Sequence, residues 1–169
     1  MTTEQPSARK QDLATHLSAQ PDVVVSYLFG SVARGRATIQ SDIDIAVLLD
    51  PGLDDRTMVE RQLDLIGALE PYCDREVQVV LLNCATPLLA YQVIRDGVRL
   101  SARTDAERVA FEVSTMKRYF DVQPMLAFQQ RALYQRIREV GLGRRPERDR
   151  GTLEAAERLY ARFTQSSGR

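Results

Sequence analysis

Two apolar runs joined by a short link constrain this chain more than any other feature. Val23–Phe29 is rich in β-branched and aromatic residues and reads as a strand. Ser41–Leu49 alternates polar and apolar residues and then turns fully apolar, as a strand entering a core does. About eleven residues, Ser31–Ser41, connect the two. That is short for a right-handed parallel crossover. The remaining text supplies Gln11–Ala19 as a helix, a short helical turn at Val32–Gly35, a helix from a cap at Asp55 to Leu69, and a third strand at Glu76–Leu82. Thr86-Pro87 opens a further helix that ends near Arg95 before Gly97, and Val98–Ser101 reads as a short fourth strand. The order predicts an α/β (α+β) chain: a small mixed sheet backed by helices, not a doubly wound parallel fold.

The helix after Asp55 carries its apolar stripe at Met58, Leu63, Leu65, Ile66 and Leu69, and Pro71 stops it. From Asp105 to Val140 the pattern is helical with a break expected near Asp121–Pro124. Val109, Val113, Met116 and Phe120 mark one face before that break; Met125, Leu126, Leu133, Ile137 and Val140 mark it after. Residues 1–7 read as frayed, Arg144–Gly151 as a charged loose segment, Thr152–Phe163 as one more possible helix, and Thr164–Arg169 as a disordered tail. This divides the chain into a core at 1–103, a helical region at 104–143 and a basic tail at 144–169.

Composition removes several classes. With 169 residues, 44% of them hydrophobic, the chain is long enough to bury a core without disulfides. No apolar run approaches the ~18 residues of a membrane span. The N-terminal text lacks the apolar stretch of a secretory signal. Cys73 and Cys84 lie at no metal-binding spacing and His16 is the sole histidine, so a structural zinc site is not expected and a reducing, cytoplasmic setting is. Net charge is zero, yet residues 1–100 hold 9 Lys/Arg against 14 Asp/Glu, and residues 101–169 hold 14 against 9. Arg144, Arg145, Arg148 and Arg150 contribute to the basic end. A solvated surface is the expectation for it, and direct nucleic-acid binding is not, since no aromatics interleave with the charges.

The chemistry concentrates in Leu28–Leu49. Gly30-Ser31 leave a strand and open a helical turn, where backbone N–H groups form an anion site and glycine lets a phosphate approach the main chain. Arg34 and Arg36 lie close in sequence, and guanidinium forks suit phosphate. Asp42 and Asp44 then sit two apart on the next strand, so both carboxylates share one face while Ile43 and Ile45 point to the core. Their mutual repulsion is relieved by a hard divalent cation such as Mg²⁺, which also accepts phosphate oxygens as ligands. The combination is a place to hold a metal–nucleoside triphosphate.

Gly30-Ser31, ten residues, then Asp42-x-Asp44 resembles the signature of the DNA-polymerase-β-like nucleotidyltransferase superfamily. Its downstream text, Val79–Asn83, Pro87–Gly97 and Phe111 through Tyr119-Phe120-Asp121 to Pro124, resembles more narrowly the MntA-like antitoxins. The resemblance covers about residues 11–143. It implies Mg²⁺-dependent transfer of AMP from ATP to a tyrosine hydroxyl of a HepT-like HEPN-fold ribonuclease toxin, within a hetero-oligomer that silences the toxin. By the same resemblance, Gly30 and Ser31 hold the triphosphate, Arg34 and Ser41 support that loop, and Asp42 and Asp44 bind Mg²⁺. The long C-terminal helices would form much of the toxin-facing surface.

The superfamily usually supplies a third carboxylate from a later strand, commonly where this chain has Gln78. A glutamine cannot act as a base or hold a cation as strongly. Glu76, two residues earlier, shares the strand face and is the candidate replacement, with Asp74 a weaker one. Two alternatives follow: an antitoxin with weak or no catalysis that acts by binding alone, and a small-molecule nucleotidyltransferase acting, for example, on an antibiotic hydroxyl.

Overall fold

The computed structural model describes residues 5–38 and 40–141. The tail from residue 142 onward, where the basic run and the possible last helix were expected, lies outside the described residues. Four strands form one sheet in the order β3-β2-β1-β4: β1 (Val23–Phe29), β2 (Ile43–Leu49), β3 (Val77–Leu81) and β4 (Val98–Ala102). Strand β1 runs antiparallel to both β2 and β4, and β2 runs parallel to β3. The short link expected to forbid a parallel crossover thus joins an antiparallel pair. The parallel pair β2–β3 is joined through a helix, α3 (Asp55–Leu69), and the short 3₁₀ turn Glu70–Tyr72.

Strand alternation sorts the side chains onto two faces. Ile45, Val47 and Leu49 of β2 and Val77, Val79 and Leu81 of β3 bury against Leu13 and Leu17 of α1 (Gln5–Ser18) and Leu65 and Leu69 of α3. Val25 and Tyr27 of β1 and Ala46 of β2 bury on the opposite face, against Ala90 and Val93 of α4 (Pro87–Asp96) and Phe111 of α5 (Asp105–Val140). Between β1 and β4, the Ser26 and Ser101 hydroxyls meet at 2.6 Å, so two buried polar groups satisfy each other. Arg61 of α3 makes two hydrogen bonds to Asp22, Nε to Oδ2 at 2.6 Å and Nη2 to Oδ1 at 2.9 Å, fixing α3 to the turn that enters β1. That pairing holds the Asp22 carboxyl below the usual carboxylate range.

Several sequence expectations shift. Helix α1 starts at Gln5, inside the stretch expected to fray. The cap of α3 is Asp54, not Asp55, because the Asp54 carboxylate accepts from the Thr57 N–H at 2.7 Å. Thr86 caps α4 as its text suggests, accepting from the Leu89 N–H. Helix α2 occupies Gly30–Ala33, two residues earlier than expected. Leu63 was placed on the buried stripe of α3 but is 65% exposed; Leu65 and Leu69 carry the burial.

The expected break near Pro124 is not there: α5 is helical throughout Asp105–Val140. Proline removes one backbone donor, and the strong helix formers that follow it, Met125, Leu126 and Ala127, sustain the remaining ladder. One long helix therefore replaces the expected pair. On its first half, Val109, Val113 and Phe120 are largely exposed, while Phe111 and Thr115 are buried. The face that packs is offset from the most apolar one. By compactness the chain divides between Val122 and Gln123. No described helix is long and apolar enough to cross a membrane.

Two leucines of α3 test this packing. Leu65→Ala is expected to cost about 3 kcal/mol in urea unfolding, and Leu63→Ala to stay within about 0.5 kcal/mol.

Candidate active site

The antiparallel register of β1 and β2 sets Phe29 opposite Asp44. The chain then turns sharply at Gly30, whose φ of 73° lies in the left-handed region that L side chains avoid. A second constraint acts at the same place. A Cβ on Gly30 would stand 1.9 Å from Asp44 Oδ2 and 2.8 Å from its Cγ. The Asp44 carboxylate therefore fills the space that any side chain at residue 30 would need. Helix α2 begins here, and its N-cap Phe29 offers no side-chain acceptor. Its first-turn N–H groups are not capped from that side, which suits them to an anion.

Asp42 precedes the first residue of β2, and Asp44 is the second. Both are partly exposed. Desolvation and, after it, the charge of Asp42 push the Asp44 carboxyl above its ordinary range, and Arg34 partly offsets this. A like-charged pair with one carboxylate partly desolvated is the donor set that a divalent cation neutralises. Magnesium is commonly held by one or two protein carboxylates with phosphate oxygens completing the shell. The two residues fit that requirement.

Gln78 is paired in register with Asp44 across the β2–β3 ladder, and its Nε2 donates to Asp42 Oδ2 at 2.8 Å. Glu76 lies just outside β3. Its backbone carbonyl accepts from the Ile43 N–H at 2.8 Å, and its residue is exposed. Asp74 stands beside Arg75, at 3.8 Å. Among the described residues no group of three or more His, Cys, Asp or Glu side chains gathers as a metal cage. The structure thus brings Asp42, Asp44 and Gln78 together and adds no third acid to them.

Ser31 follows Gly30 in α2, and its carbonyl accepts from the Arg36 N–H at 2.9 Å. The Ser41 hydroxyl accepts from the Thr38 N–H at 2.9 Å, while the Ser41 N–H donates to the Thr38 carbonyl at 3.1 Å. Ser41 so closes the loop ahead of Asp42, and Arg75 Nη1 braces that loop through the Thr38 carbonyl at 2.9 Å. Arg34 lines a cleft of about 110 Å³ with Phe29, Gly30, Leu89, Gln92 and Asp96. Sequence reasoning did not single out the α4 residues of that cleft. Their spacing held the signal: 89, 92 and 96 recur at three and four residues, one face of a helix. Arg34 helps to depress the Asp96 carboxyl, after the larger effect of its hydrogen bonds with Arg95.

A family model described as polymerase beta, nucleotidyltransferase matches residues 11–106. The chain belongs to this nucleotidyltransferase family. Protein adenylyltransferase MntA of Shewanella oneidensis is 36% identical over 103 residues, which cover 61% of this chain and 70% of that relative. A crystal structure of a toxin–antitoxin with AMP-PNP matches at a TM-score of 0.57 and 30% identity, over 74% of this chain and 96% of the matched one. A complex of the tri-AMPylated Shewanella oneidensis HEPN toxin with MNT antitoxin matches at a TM-score of 0.53 and 28% identity, over 75% and 95% of the two chains. The small mixed sheet with helices is thus the nucleotidyltransferase fold expected from the sequence.

Two variants probe the turn and the acid behind it. Gly30→Ala adds a left-handed alanine, costing about 1–2 kcal/mol, and displaces Asp44; thermal unfolding should show the loss and nucleotide uptake should vanish. Asp44→Asn should do the opposite for stability. With its folded pKa raised, the charged carboxylate is unfavourable above that value, and the penalty is absent below the unfolded pKa of about 3.9. Without divalent cations, Asp44→Asn should therefore unfold at a higher temperature than wild type at pH 7, with the gap closing as the pH falls toward 3.9.

Proposed function

We propose that this chain transfers AMP from ATP, with Mg²⁺, to a tyrosine hydroxyl of a HepT-like HEPN toxin, and so acts as the antitoxin of a toxin–antitoxin pair. The observation that carries the reading is the packing of Gly30 directly on the Asp44 carboxylate. It sets an anion-accepting turn and an acid pair edge to edge, as a cation-bridged polyphosphate requires. The relatives add the class of acceptor, since one is a protein adenylyltransferase and another is bound to an AMPylated toxin.

In this reading Gly30 and Ser31 hold the triphosphate through the first turn of α2. Arg34 faces the same turn and offsets phosphate charge. Ser41 keeps the loop closed so that Asp42 and Asp44 are presented together. These two carboxylates would hold Mg²⁺, which supplies Lewis-acid polarisation of the phosphoryl oxygens when bound. The acceptor hydroxyl loses its proton to solvent as its oxygen bonds to the α-phosphorus, the bond from the α-phosphorus to the oxygen bridging it to the β-phosphate breaks, and pyrophosphate leaves. Positioning and charge neutralisation carry such transfers, so no covalent role falls to the protein.

A second reading has its own observation. Gln78 stands beside Asp42 and Asp44 and cannot accept a proton. Transfer would then be slow or lost, and the chain would silence the toxin by occlusion.

One experiment separates the two. The chain is mixed with its cognate toxin, Mg²⁺ and ATP, and the toxin is weighed intact. The adenylyltransferase reading predicts a gain of one or more AMP units, abolished by Asp42→Asn with Asp44→Asn. Toxin inhibition without added mass, persisting in the double variant and without ATP, establishes occlusion instead.

A further inference from the structure

Gln78 offers more than a missing acid. Its backbone is locked in the β2–β3 ladder opposite Asp44, and its side-chain amide donates to Asp42 at 2.8 Å. One residue is thereby placed against both aspartates, by backbone register to Asp44 and by a side-chain hydrogen bond to Asp42. An amide N–H donor fixes the orientation of a carboxylate, as hydrogen-bond partners of metal-ligating groups do. It brings no charge, and its carbonyl oxygen is a weaker ligand for a hard cation than a carboxylate.

We propose that Gln78 makes cation uptake at this site conditional on the nucleotide: it orients Asp42 while withholding the third negative charge that would hold a divalent cation in the nucleotide's absence. The inference rests on the nucleotide-site reading above. Its physical basis is ligand charge. Asp42 and Asp44 bring two negative charges, and the Gln78 amide beside them brings none. Affinity for a hard dication rises with the number of charged ligands. With only two available, a polyphosphate must contribute the remaining oxygens. The chain then takes up cation and nucleotide together, and free divalent cation does not occupy the site ahead of its substrate.

The test is equilibrium dialysis of the full chain with Mn²⁺, counted on the protein side, with and without a non-hydrolysable ATP analogue at equal concentration on both sides. Wild type should retain Mn²⁺ weakly alone, and one per chain at least about tenfold more tightly with the analogue. Gln78→Glu, a near-isosteric change at an exposed position, should tighten analogue-free Mn²⁺ retention by about tenfold or more. Gln78→Ala should leave analogue-free retention weak and loosen the analogue-dependent uptake by about tenfold, since Asp42 loses its donor. The proposal is overturned if wild type retains Mn²⁺ equally with and without the analogue, or if Gln78→Glu leaves analogue-free retention unchanged. Asp42→Asn keeps the two levels apart. If it retains wild-type analogue-dependent Mn²⁺ uptake, the nucleotide-site reading itself fails; if it loses that uptake while Gln78→Glu shows no gain, only the role of Gln78 fails.

Discussion

The contact between the Gly30 backbone and the Asp44 carboxylate is the constraint on which the rest of the site depends. A main-chain turn in the left-handed region and a partly desolvated acid occupy the same few ångströms. Left-handed backbone is tolerated because the residue is glycine, and the charge of Asp44 is tempered by Arg34. Uncompensated charge is typical of sites that a ligand completes. A cation would relieve the repulsion between the acids, and a phosphate would take the first-turn N–H groups that Phe29 does not cap.

The fold delivers this contact through strand direction. Because β1 and β2 are antiparallel, the end of the first lies beside the start of the second, so residues 29 and 44 meet although fourteen loop and strand positions separate them. Parallel pairing of β3 with β2 then brings Gln78 to the same edge. The even-numbered residues of β2 face the side of the sheet that α4 covers, while Ile43, Ile45 and Val47 anchor the strand in the core beneath α1 and α3. Burial of the odd residues fixes the register, and the register fixes which side chains share the site.

Much of this was legible because strand periodicity and turn chemistry are local. Val23–Phe29 matches β1 residue for residue, and Thr86-Pro87 marks the start of α4 as a proline after a cap should. The Gly-Ser and Asp-x-Asp elements announced themselves by spacing. What was lost was tertiary. Leu63 has the composition of a core residue, and only the placement of α3 on the sheet exposes it. Pro124 looks like a helix end, but the helix formers that follow it carry the helix through. The Gln78–Asp42 hydrogen bond joins residues 36 apart and has no local signature. Nor could the sequence say that the exposed Glu76 would lie outside β3 and not join the two aspartates.

The central claim is that this edge of the sheet is a cation-dependent nucleotide site. Calorimetric titration of the folded chain with a non-hydrolysable ATP analogue tests it most directly, once with excess Mg²⁺ and once with EDTA. The account predicts saturable binding of one analogue per chain with Mg²⁺ and at least about tenfold weaker binding in EDTA. Heat of binding that is absent in both, or equal in both, would contradict it.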